Sequence, residues 1–225
     1  MKHNIKVDNI TLNNESLTLI NKNISYLTIR GKCQLNLFNC NIININIEIE
    51  DNASLILNYF NKIEKLDSII NIRANNKSSI IFNHSFINKD NYKLLIKTDF
   101  LKEEANIKVN IHGLNDKGEA YINVDGYVKE NKSNNVLDEN IRIINLNNGK
   151  VISNPNMFIN TSKVIANHNT TIGNVNKDEL LYLQSKGLDI TSAIHLICLG
   201  FLTSIMDNEE LIIKIKEIQG GDRFA

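Results

Sequence analysis

Of the 39 asparagines in this chain, 38 lie at or before Asn176 and only Asn208 lies after it. So sharp a change marks a boundary, and the hydrophobic period differs on its two sides. Upstream, apolar and polar residues alternate with period two. Ile43, Ile45, Ile47 and Ile49 are interleaved with Asn44, Asn46, Glu48 and Glu50, the pattern of a half-buried strand. The same alternation returns in Ile107, Val109 and Ile111, in Ile122 and Val124, and in Ile141 and Ile143. Short apolar stretches such as Ser54 to Phe60, Ser79 to Phe82 and Lys93 to Ile96 recur with Asn, Asp, Lys and Gly between them. Their spacing is the roughly 8–12 residues that goes with an all-β sandwich, barrel or solenoid. No strict repeat can be extracted.

Asparagine chooses among these folds. The 39 Asn and 37 Ile make up a third of the 225 residues, against a single Pro and no Trp. An AT-rich coding sequence yields the same totals, so what asparagine can do physically carries the argument. Asn is a poor helix former, whereas β-branched Ile suits a pleated, half-buried surface. Asn also tolerates the left-handed backbone and bonds its own backbone in turns, so it can turn many corners without Gly or Pro. Stacked Asn side chains can form ladders between successive coils. Together these properties favour a β-solenoid over residues 1–175.

Downstream the period becomes helical. Asn176 with Glu179 three residues on resembles a capping box for a helix over Lys177 to Lys186, and Gly187 stands where a C′ glycine belongs. Asp189 can cap a second helix running through Met206. Asp207 or Asn208 can cap a third, Glu209 to Gln219, followed by Gly220 and Gly221. Three such helices make a bundle of about 45 residues, too small to be reliably stable alone. The segment 176–225 is therefore expected to pack on the β body or on a partner.

Charge and motifs narrow the function. With 25 Lys and Arg against 25 Asp and Glu, no overall field gathers phosphates, and the scattered lysines form no basic patch for nucleic acid. The longest apolar run, Ala193 to Met206, falls short of the ~20 residues that span a bilayer. The opening MKHNIKVDNI has no apolar stretch behind its charges, so a secretory signal is not expected and the cytosol is the expected compartment. Cys33, Cys40 and Cys198 are too few and too irregular for a disulfide framework or a metal finger. Cys33 and Cys40 sit seven apart with no iron–sulfur ligand spacing and are expected to be buried small hydrophobes, as is Cys198 among Leu196, Ile197 and Leu199. There is no phosphate loop and no nucleophile elbow, so no nucleotide is bound by the chain itself and no enzymatic activity is expected. Asp125 or Glu119 could serve a polysaccharide-cleaving solenoid, but no signal sends the chain to such a substrate.

One stretch is more specific. In PNMFINTSKVIANHNTTIGNVNKDELLYLQSKGLDITSAIHLICLGFL, from Pro155 to Leu202, a proline-led strand precedes Val164, His168, Thr171 and Gly173. Asp178 to Leu188, Ala193 and Gly200-Phe201-Leu202 follow in order. This stretch resembles the SufB/SufD family, the scaffold subunits of the Suf iron–sulfur cluster assembly system. The resemblance implies a right-handed β-helix followed by a helical C-terminal domain that docks the ABC-type ATPase SufC. It also implies pairing, as a homodimer or a heterodimer, with a second SufB/SufD-like chain, with a transient iron–sulfur cluster built at their interface. Departures from the family matter as well. The chain is expected to start almost directly in β-strands, without the long N-terminal region of most members. Where SufB-type chains carry a cysteine, the Asp138-Glu139-Asn140 neighbourhood has none. Ala166 stands where SufD-type chains often carry Cys, and Asn169 where SufB-type chains tend to have Glu. The chain is thus closer to SufD and poor in thiolates.

The resemblance makes His168 the candidate iron or cluster ligand, since imidazole binds iron and can replace cysteine at a cluster iron. It makes Tyr182, Ser185, Lys186 and Gly187 a candidate ATPase-docking surface, with Phe201 and Leu202 supporting it from behind. The expected function is a non-enzymatic, SufD-like scaffold. The rival is a structural or ligand-binding β-solenoid that assembles no clusters.

Overall fold

The computed structural model describes residues 6–63 and 65–220. The N-terminal half of the β region comprises β1 (Lys6–Asn13), β2 (Ser16–Ile20), β3 (Asn23–Arg30), β4 (Lys32–Phe38), β5 (Asn44–Ile49), β6 (Ser54–Asn61), β7 (Lys65–Ala74) and β8 (Ser79–Asn88). Then follow β9 (Asn91–Phe100), β10 (Asn106–Asp116), β11 (Glu119–Val128), β12 (Asn135–Leu146), β13 (Lys150–Ser153), β14 (Asn156–Ile159) and β15 (Val164–Gly173). Among the described residues three helices follow: α1 (Lys177–Ser185), α2 (Ile190–Thr203) and α3 (Glu209–Gly220). Gly221, expected beyond the third helix, and the first five residues lie outside the described part.

All strand pairs are parallel. Odd strands β1 to β13 stack in one sheet, sheet A, and β15-β12-β10-β8-β6-β4-β2 stack in the other, sheet B. The chain is therefore a parallel β-solenoid. Pro155, which can donate no ladder hydrogen bond, splits the last strand of sheet A into β13 and β14, both paired with β11.

Asparagine does both jobs expected of it. Eight of the eleven described non-glycine residues with positive φ are Asn, among them Asn14, Asn21, Asn39 and Asn147, each at a corner where a Cβ is tolerated only with difficulty. On the outer side of sheet B a side-chain ladder climbs the stack. Asn36 Nδ2 reaches Thr18 Oγ1, and Asn58, Asn83, Asn110, Asn140 and Asn169 each donate Nδ2 to the Oδ1 of the asparagine one coil below, at 2.8–3.5 Å. The separations along this ladder are 18, 22, 25, 27, 30 and 29 residues. The coils widen as the chain proceeds, so self-similarity at one fixed period is absent although every coil obeys one rule.

The lumen is filled accordingly. Narrow coils are packed with Leu27, Ile29, Leu35, Leu37, Ile45 and Ile47, and wider ones take Tyr59, Phe82, Phe86, Tyr92 and Phe100. Gly113 faces inward beside Phe86, whose ring would lie 2.3 Å from an added Cβ, so the glycine makes room for that ring. His84 lies in the same aromatic stack, 4.5 Å from Tyr59 between ring centroids. Its Nδ1 must donate, because its partner is the Tyr59 carbonyl at 3.0 Å; Nε2 then accepts from the Tyr92 hydroxyl at 2.6 Å. Burial pushes this imidazole down to about 3, which keeps it neutral.

The strand alternation holds with one shift. Ile45, Ile47 and Ile49 are buried, but Ile43 is 68% exposed, because β5 begins at Asn44 and Ile42 takes the inward place. Cys33, Cys40 and Cys198 are buried free thiols.

The helices return over the outer side of sheet B. Cys198, Leu202, Met206, Leu211 and Ile215 share a second core with Phe38, Phe60, Ile87 and Leu114. Polar side chains of the sheet fix the seat. Ser85 Oγ donates to Leu202 O at 2.7 Å, His112 Nδ1 to Phe201 O at 2.7 Å, and Gln34 Nε2 to Asp207 O at 2.8 Å. The first two occupy carbonyls that a helix C-terminus leaves without partners. Asn176 caps α1 through Asp178 N, Asp189 caps α2 through Ser192 N, and Asn208 caps α3 through Leu211 N. Helix α2 stops at Thr203 rather than running through Met206, because Met206 N turns back to Thr203 O.

Candidate functional site at the open end of the solenoid

The last coil, one of the wide ones, is uncovered. Among the described residues β15 pairs only with β12, and β13 and β14 only with β11. A ten-residue strand with one edge free presents a row of unpaired backbone groups, a template for another chain. Around this end Phe158, Ile159, Ile165 and Ile172 are exposed, and Phe158 stacks on Tyr127 at 4.9 Å.

His168 lies here. It is exposed in β15, in register with Glu139 of β12. Register partners in a parallel sheet send their side chains to the same face, and for Glu139 that face is the lumen, shared with Leu137 and Ile141. The Glu139 carboxyl is 0% exposed, and neither of its oxygens has a hydrogen-bond partner. Burial first, then the negative charges of Asp125 and Asp138, push it up to about 8.

Gly126 of β11 lies across from this carboxyl: a Cβ there would fall 3.0 Å from Glu139 Oε1 and 2.4 Å from Leu137 Cδ2. Thr98 Oγ1, 3.5 Å from the same point, is also buried without a partner. Met157, half-buried, stands one coil beyond Gly126 in register. Glu139 was not among the residues expected to matter, although Leu137-x-Glu139-x-Ile141 places it in the inward phase of the alternation and was a readable signal.

The other expected residues lie on the helices. Tyr182 is 62% exposed, with the Lys186 ammonium 5.3 Å from its ring centre. Ser185 Oγ donates to Tyr182 O, and Gly187 takes φ +93° in the turn that follows. Helix α1 buries no residue. Leu202 is fully buried against the sheet, while Phe201 stacks on His112 at 4.3 Å beneath the Arg142 guanidinium. A cleft of about 420 Å³ between α2 and the outer side of β12 and β15 is lined by Arg142, Thr171, Gly173, Glu179 and Phe201. The structure thus sets His168 at the solenoid mouth and Tyr182 to Gly187 on the helical segment, as two separate surfaces.

No described His, Cys, Asp and Glu residues gather in threes as a metal cage, and no described helix is long and apolar enough to cross a membrane. Burial pushes the Cys198 thiol up to about 12 and raises that of Cys40, the opposite of what a thiolate ligand needs.

A comparison with curated proteins gives no match. A family model described as SUF system FeS cluster assembly, SufBD core domain, matches residues 97–201, from within β9 to within α2, so that it includes the whole open end and His168. Residues 97–201, carried by the parallel β-solenoid and the start of the helical segment, are thus a core domain of the SufB/SufD family.

Proposed function

We propose that the chain is a non-enzymatic scaffold subunit of a Suf-type complex, which pairs through its open solenoid end with a second SufB/SufD-like chain and docks a SufC-like ABC ATPase through residues 176–225. The uncovered terminal coil bearing His168 inside the matched core carries this reading. Its free strand edge and exposed Ile165 and Ile172 are suited to another chain, and the imidazole is suited to iron. The partner best fitting this end is a different, cysteine-bearing chain, because all three thiols here are buried and cannot reach a cluster at the mouth. The iron–sulfur cluster is the cargo of the pair, His168 supplying a nitrogen ligand and the partner the thiolates.

For the ATPase, α1 offers Leu181 and Tyr182, with Ile190 beyond the Gly187 turn, all more than half exposed, on a helix that buries nothing of its own. An exposed aromatic beside a cation is a plausible anchor. Movement of a docked ATPase would reach the solenoid through Ser85, His112 and Gln34, which hold the carbonyls of Leu202, Phe201 and Asp207.

Co-purification is the first test: the chain should retain a SufC-like ATPase on a tagged column. Failure to retain it, while an established scaffold does so in parallel, would sink the docking claim. In the reconstituted complex His168→Ala should leave fold and ATPase binding unchanged while cutting cluster formation at least several-fold. Undiminished assembly would make the histidine structural.

A further inference from the structure

Among the described residues of the open end, Glu139 carries a carboxyl that the fold does not explain. A buried polar group is normally hydrogen-bonded, and a buried charge paired; this one is neither. Packing does not require it, since Leu137 and Ile141 on either side fill the same lumen with carbon. The surroundings have nevertheless been kept open for it. Gly126 removes the Cβ that would crowd Glu139 Oε1, and the unpartnered Thr98 hydroxyl faces the same gap. On the solvent side of the gap, the next coil supplies His168 in register with Glu139 and Met157 in register with Gly126. Neighbouring parallel strands lie about 4.8 Å apart, so a carboxylate and an imidazole leave adjacent positions on one face.

We infer that Glu139 and His168 together bind a single divalent first-row transition ion, ferrous iron being the physiological case, at the mouth of the lumen. The inference rests on the proposed scaffold reading in taking His168 as iron-facing, and deepens it by naming a second donor and by making the cargo's entry form a lone ion. Carboxylate oxygen with imidazole nitrogen suits Fe²⁺, Mn²⁺, Co²⁺ and Zn²⁺. Met157, unbranched and adaptable, packs against the lumen core one coil beyond Gly126. Two protein donors leave the remaining coordination positions to water, to sulfide or to a partner's ligands.

The test uses the whole chain without a polyhistidine tag, under anaerobic conditions, with no ATPase or second scaffold present. Fe²⁺ alone is titrated for stoichiometry and affinity, and Co²⁺ alone gives the ligand field in the visible spectrum. The wild type should take up one ion per chain. Glu139→Gln and His168→Ala should each weaken binding tenfold or more and alter the Co²⁺ spectrum, and the double variant should be little worse than the weaker single one. Circular dichroism establishes that each variant is folded. Wild-type affinity in Glu139→Gln, additive losses with two ions bound, or no uptake by the wild type would each overturn the inference. Those outcomes leave ATPase co-purification untouched, and failed co-purification with ion uptake intact would overturn the scaffold reading alone.

Discussion

Glu139→Gln is expected to stabilise the metal-free chain by about 4 kcal/mol at about pH 9 and by almost nothing at about pH 4. In the folded chain the carboxyl is held neutral up to about 8, against an ordinary value of 4.5. Between those values the native state keeps a proton that the unfolded chain has released. Its stability is therefore full below 4.5, falls as pH rises, and is flat once the carboxyl ionises near 8. At roughly 1.4 kcal/mol for each pH unit the whole window amounts to ~4–5 kcal/mol. Glutamine has the same shape and no proton to lose, so the variant escapes the decline. Urea denaturation at the two pH values checks this. A variant no more stable at high pH would show that the carboxylate is hydrated or paired in solution. A gain in stability together with a loss of ion binding would identify Glu139 as a residue kept for function at the expense of the fold.

The second large effect has the opposite sign. His84 is depressed to about 3 from an ordinary 6.5, so its contribution is complete above 6.5 and is lost as pH falls toward 3. The unfolded chain takes up a proton that the native imidazole refuses. From neutrality to about pH 4 this one residue should cost the fold ~3.5 kcal/mol. His84→Phe should flatten that decline while lowering stability at neutral pH by about 2 kcal/mol, because the Tyr92 hydroxyl and Tyr59 carbonyl lose their shared partner. Denaturation curves across the acid range give the slope, and the imidazole proton resonances give the site directly. A His84 signal titrating near pH 6 would place that ring in water and end the argument.

Much of the architecture could be read from local pattern. Period-two isoleucines give strands, asparagine gives corners and rungs, and Asn176, Gly187 and Asp189 mark helix ends, because each of these signals acts within a few residues. What escaped depends on distance along the chain. The seat of α2 is made by Ser85 and His112, which meet carbonyls 117 and 89 residues away. Ile43 looked like a strand residue because a one-residue offset at the strand start is invisible to alternation. Glu139 showed its inward phase locally, yet its lack of a partner is decided by Gly126 and Thr98 across the lumen. At the mouth, His168 was legible through family likeness alone, since nothing in its neighbours distinguishes it from a surface histidine.

The growth of the coils, from 18 residues between ladder positions near the start to about 30 at the end, makes the two ends of the stack unlike each other. A solenoid of constant girth could add copies head to tail without limit, since an open interface that does not close on itself generates a fibre. Here a wide rim finds no matching rim at a narrow tip. In the pairing proposed above, wide-to-wide contact would use up both rims at once, so the taper that hid the repeat would also terminate assembly at a pair.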